Sequence, residues 1–94
     1  MEINMEVTVG SAVRSKAGHD KGGMFIVIAR DGEYAYLADG KTRKTENPKR
    51  KKLKHLQPSA KISEAVVNAL NENGSVTNAE VRKALAELGG YNIG

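Results

Sequence analysis

The chain has 94 residues, 28% of them charged and 39% hydrophobic, with 15 Lys or Arg against 11 Asp or Glu and no cysteine. That length holds one small domain; the composition is that of a folded soluble protein, and the missing thiols exclude a disulfide framework or a thiolate metal site. The longest apolar run, MFIVIA at 24–29, is too short to span a bilayer, and the acidic start MEINMEV has no signal-peptide pattern, so a cytoplasmic protein with no membrane partner is expected.

In chain order, the first 58 residues carry β signals. EVTVGSAVR (6–14) alternates Val7, Val9 and then Val13, with Gly10 where the alternation can break or bulge. MFIVIAR (24–30) is a continuous apolar, β-branched run, as a strand covered on both faces of a small barrel requires. EYAYLA (33–38) sets Tyr34 and Tyr36 on one face, Ala35 and Leu37 on the other. Asp31-Gly32 and Asp39-Gly40 favour hairpin turns, because such turns need positive φ, which Asp tolerates and Gly accepts freely. Residues 24–45 therefore read as a three-strand meander ending in KTRKT. Pro48 breaks it, and KKLKHL returns as a last short strand before Pro58. Five short strands in about 55 residues predict a small barrel, an arrangement that hides raw sheet edges.

After Pro58 the period changes. Ile62, Ala65, Val66, Ala69 and Leu70 follow helical i, i+3, i+4 spacing until Gly74. A second helix opens at SVTNAEV, where Thr77 and Glu80 form a capping box and Val76 can staple onto Val81. Val81, Ala84, Leu85 and Leu88 continue the stripe to Gly89-Gly90. The organisation expected is a barrel over 1–58 and a C-terminal αα-hairpin over 59–94, too short to be stable alone.

Catalytic patterns are missing. The two histidines, His19 and His55, have no thiol or paired carboxylates to work with. GHDKGG (18–23) reads as a polar turn rather than a proton-transfer site or a Walker loop, since its glycines are too close and no Lys-Ser/Thr pair follows. No cluster offers three or four metal ligands. The expectation is a non-enzymatic protein without cofactor or metal.

The charge is distributed unevenly. Residues 10–61 hold thirteen Lys or Arg against five Asp or Glu, while the segments on either side are each net acidic. A basic middle points to a polyanionic partner for that middle alone. The densest part is ENPKRKKLKHLQP (46–58). Against its being a solvated charge run or a nuclear-import signal stand Leu53 and Leu56, which want burial, the preceding KTRK, and the flanking prolines that stiffen the segment.

VGSAVRSKAGHDKGGMFIVI (9–28) resembles the KOW motif, and the longer span 9–57, with ADGKTRK and PKRKKLKHL, is similar to bacterial KOW-domain RNA-binding proteins related to archaeal and eukaryotic large-subunit ribosomal proteins. The resemblance covers about half the chain. It implies a mainly β fold, a small SH3-like (KOW) barrel of about five strands, with a helical tail outside the motif. It also implies RNA as the partner, ribosomal RNA first, with ribosomal or translation proteins alongside. Candidate RNA-binding residues are Arg14, Lys16, Lys21, Arg43, Lys44, Lys49, Arg50, Lys51, Lys52 and Lys54 for phosphates, with His55 adding a hydrogen bond. Contacts of Lys and Arg to phosphate carry no direct sequence information, so recognition by shape and backbone is expected. Tyr34 and Tyr36 could stack on unpaired bases or equally cover the barrel or meet the helices. The alternative is a protein-interaction module of the transcription or translation machinery, in which the basic patch meets an acidic protein.

Overall fold

The computed structural model describes residues 7–88. Strands β1 (Ser11–Ser15), β2 (Met24–Asp31), β3 (Tyr34–Ala38), β4 (Lys49–Lys52) and β5 (Leu56–Ile62) are followed by helices α1 (Glu64–Asn73) and α2 (Asn78–Leu88). All ladders are antiparallel and the sheet order is β4-β3-β2-β1-β5. The two outermost strands, β4 and β5, are consecutive in the chain, joined only by a 3-10 turn at Leu53–His55. Such a short link between sheet ends requires the sheet to curl, and the result is a half-barrel backed by two helices. The fold is mainly β with a helical tail, as expected.

Pleat alternation sorts the core into two layers. Inside the curl, Val7, Val13, Phe25, Val27, Ala35, Leu37 and Leu56 are buried together, with Leu53 packed against them. On the other face Ala12, Ile26 and Ala38 meet Val66, Ala69, Val76, Val81 and Ala84 of the helices. The apolar run of β2 is thus covered on both sides, Phe25 and Val27 by the barrel interior and Ile26 by the helices. The helical hairpin and the sheet share one hydrophobic cluster.

Three stretches depart from expectation. Residues 8–11 form a turn, with the Ser11 amide donating to the Thr8 carbonyl at 3.0 Å and Gly10 at φ 92°, so β1 starts five residues later than the alternation suggested. KTRKT is not a strand. Asp39 Oδ1 accepts from the amides of Lys41 and Arg43, both at 2.8 Å, and this local bonding captures donors a ladder would need. The third meander strand is therefore β4, beyond a loop spanning 39–48. Pro58 does not end the sheet either: β5 passes through it, opposite Val13, and continues to Ile62 opposite Ser11. A proline is tolerated there because β5 is an edge strand, and Ser59 Oγ donates to the Ala12 carbonyl at 2.7 Å beside it. Ile62, assigned by spacing to the first helix, instead closes β5 and is 49% exposed.

The helices follow local chemistry closely. Ser63 Oγ caps α1 by accepting from the Val66 amide at 3.2 Å. At α2 the Glu80 amide donates to Thr77 Oγ1 at 3.1 Å and the Thr77 amide donates to Glu80 Oε1 at 2.8 Å, which is the reciprocal box expected. Val76 and Val81 are buried in the same cluster. The stop expected at Gly89-Gly90 lies outside the described residues, and among those described no helix is long and apolar enough to cross a membrane.

Candidate nucleic-acid interface

β4 is the strand on which the basic run becomes geometry. Its register pairs Lys52 with Tyr34, Lys51 with Ala35, Arg50 with Tyr36 and Lys49 with Leu37. Arg50 and Lys52 consequently share the face of Tyr34 and Tyr36, while Lys49 and Lys51 take the face of Ala35 and Leu37. The Arg50 guanidinium lies 4.3 Å from the centroid of the Tyr34 ring and the Lys52 ammonium 5.9 Å from it. Both are within reach of the ring's negative face. This contact holds two long side chains in a common direction at the sheet edge.

Lys51 behaves differently from its neighbours. It is 9% exposed, and its Nζ donates to the Ala17 carbonyl at 2.9 Å, tying β4 to the loop after β1. Its ammonium is thereby turned away from the face where Arg50 and Lys52 stand, and its role is to hold the barrel together. Lys49, half-buried, lies on that same inner-facing side of the strand.

Lys54 and Lys16 continue the exposed cations around the closing turn. Lys54 sits beside Lys52 near Glu33 and Leu53, and it borders with Lys16 a groove of about 460 Å³ floored by Val7, Leu56 and Pro58. The Lys16 amide donates to the His55 carbonyl at 2.8 Å, which locks the start of the first loop to the turn after β4. His55 itself is half-buried. Leu53 and Leu56 anchor the segment into the barrel core, so residues 49–62 are built into the sheet.

The remaining candidates form two separate groups. Arg14 Nη1 donates to the Gly22 carbonyl at 2.9 Å and braces the 16–23 loop, on which Lys21 is exposed. Arg43 and Lys44 lie on the 39–48 loop, not on a strand alongside β4. That loop is stitched to α2: the Thr45 amide donates to Asn78 Oδ1 at 2.8 Å, Asn78 Nδ2 donates to Glu46 Oε1 at 2.9 Å, and Arg82 Nη1 donates to the Gly40 carbonyl at 2.7 Å. The Asn78 side chain, followed by the Glu46 backbone, holds the Glu46 carboxyl below its ordinary pKa, with Thr45 and the Lys44 charge adding to the effect against a desolvation that opposes it.

The same docking creates a cleft of about 720 Å³ between the sheet and the α1–α2 turn, walled by Ile28, Tyr36, Pro48, Leu70 and Val76, with Glu46 at its side. Nothing in the sequence marked it. Its walls come from residues up to about fifty positions apart, and Glu46 and Asn78 meet only because the loop folds onto the helix. Among the described residues no group of three or more His, Asp or Glu is placed to hold a metal ion. No protein-family model and no curated protein matches the chain.

Proposed function

We propose that this is a non-enzymatic, RNA-binding protein of the KOW kind, cytoplasmic and associated with the ribosome, that holds structured RNA by its backbone. The observation that carries the reading is the outward pairing of Arg50 and Lys52 on the Tyr34 ring at the sheet edge, continued by Lys54 and Lys16 around the closing turn. Long side chains fixed by a scaffold lose less freedom when they meet a phosphate than side chains on a loose tail. Because phosphate contacts orient without reading sequence, such an array suits the regular backbone of folded RNA, ribosomal RNA first. Lys51, committed to the Ala17 carbonyl, is not among the phosphate contacts.

Filter binding to a structured ribosomal RNA fragment over a range of salt concentrations tests this. If Lys16, Arg50, Lys52 and Lys54 each engage one phosphate, log affinity falls against log salt with a slope of roughly −2.8 to −3.6. The double variant Arg50→Ala, Lys52→Ala makes that slope shallower by roughly 1.4 to 1.8. A salt-independent interaction sinks the reading. So does RNase-resistant capture of a single acidic protein, which would assign the basic face to a protein partner.

A further inference from the structure

We infer that the cleft between Tyr36 and the α1–α2 turn takes one unpaired base of the RNA whose backbone lies on Arg50 and Lys52. This rests on the RNA-binding reading and deepens it, from backbone contact alone to backbone contact with a nucleobase site.

Position gives the first argument. Tyr36 and Arg50 are direct cross-strand partners on one face, and the Arg50 guanidinium leans over Tyr34, one step further along that face. Pro48 walls the cleft beside the start of β4, and on the 39–48 loop the Lys44 charge reaches the Glu46 carboxyl. Cations therefore stand along two margins of a cavity whose interior has none: of its lining residues only Glu46 is charged. A phosphate belongs on the margins and is repelled from the interior.

The second argument is chemical. A half-buried tyrosine with Ile28, Pro48, Leu70 and Val76 offers flat and apolar surface of the kind a base stacks on. The Glu46 carboxylate is held in its ionised form, and a carboxylate is a pure acceptor. It suits a ring N–H or an exocyclic amino group, the donors carried on the pairing edge of an unstacked base. A neutral heterocycle with N–H donors, attached to an anionic backbone, matches both the interior and the margins. In a duplex that edge is already paired, so only single-stranded or looped RNA can fill the site.

The test compares two RNAs with equal phosphate numbers, a continuous duplex and a hairpin with an unpaired loop, binding to the full chain. Binding of the hairpin tighter than the duplex by about tenfold is expected. Ser75 and Ala29 are exposed and line the cleft, so Ser75→Trp or, separately, Ala29→Trp fills it from the surface without replacing any residue of the buried clusters. Each should bring the hairpin down to duplex affinity while leaving the salt slope unchanged. Equal binding of both RNAs with a steep salt slope overturns the base site and leaves the backbone reading standing, whereas weak, salt-independent binding of both removes the backbone reading as well. A filled-cleft variant that retains full hairpin preference also overturns the inference. So does one that instead dissociates a dimer seen by sedimentation, since the cleft would then belong to a second copy.

Discussion

Lys51 and Lys52 adjoin in the chain, and the β4 pleat sends them to opposite sides of the sheet. The Lys52 stem stands out beside Tyr34, while the Lys51 stem runs inward to the Ala17 carbonyl, its Nζ also close to where a Cβ on Gly18 would sit. A charged hydrogen bond that is largely shielded from water contributes more than a solvated surface pair. Lys51→Met keeps the aliphatic stem and removes the ammonium, so urea unfolding should show a loss of about 1–3 kcal/mol. RNA affinity and its salt slope should stay those of the parent protein. A Lys51→Met chain that is fully stable yet binds RNA poorly would place that ammonium on the RNA. Gly40 shows the opposite kind of dependence, on a side chain that is missing. Its φ is 79°, and a Cβ there would lie 2.5 Å from the Asn78 carbonyl oxygen and 2.7 Å from Arg82 Cγ. The close approach of loop to helix that shapes the cleft is possible only with glycine at this position.

At the scale of elements, the 39–48 loop and α2 are fastened by Asn78, which accepts from the Thr45 amide and donates to Glu46. The Glu46 pKa is lowered chiefly by that donation. A carboxyl depressed in the folded state stabilises the fold fully above its unfolded pKa and loses that contribution as pH falls through the lower folded value. The loop's hold on α2 should therefore persist through ordinary carboxyl titration and loosen only in more acid solution. In an NMR titration the Thr45 amide should shift with Glu46 below the ordinary carboxylate range, and Glu46→Gln should abolish that step. Titration of Glu46 at or above the ordinary value would show that Asn78 does not hold it. How much could be read beforehand divides along the same line. The Thr77/Glu80 box, the Val76 staple and the alternation of β3 depend on residues within five positions of one another, and all three appear as the sequence implied. Strand β4 was misplaced because its start depends on Asp39 capturing two amides and on the loop finding Asn78. The facing of Lys51 follows from the resulting register, so a run of like charges in the sequence could not reveal which cations turn inward. The cleft was illegible for the same reason: its walls come together only after the loop is docked.

For the whole molecule, the question is whether the helices are an appendage or a wall of the sheet's own core. Ala12, Ile26 and Ala38 are almost wholly shielded, and the residues that shield them include Val66, Val76, Val81 and Ala84 from the helices. Without α1 and α2 that face of the half-barrel would be open, with Met24 and Ile28 exposed beside it, and the 39–48 loop would lose both Asn78 and Arg82. A chain this short has little stability to spare, since small domains bury a smaller fraction of their surface than large ones do. The helices in turn are only ten and eleven residues long, below the length at which isolated helices persist in water. Each part therefore depends on the other. A fragment of residues 1–62, which retains all five strands, should lack a sharp thermal transition. In the full chain Ile26→Ala should cost about 3 kcal/mol and lower Tm by roughly 12–24 °C. Strand and helix signals should fall together in one transition, because the cavity opens at the seam between them. A cooperatively melting fragment, or a mutant whose helices unfold first while the sheet keeps its parent Tm, would make the hairpin a separable unit. The base-sized cleft would then be a feature of how two independent pieces happen to rest, rather than of one core that fixes Tyr36, the loop and α2 in register.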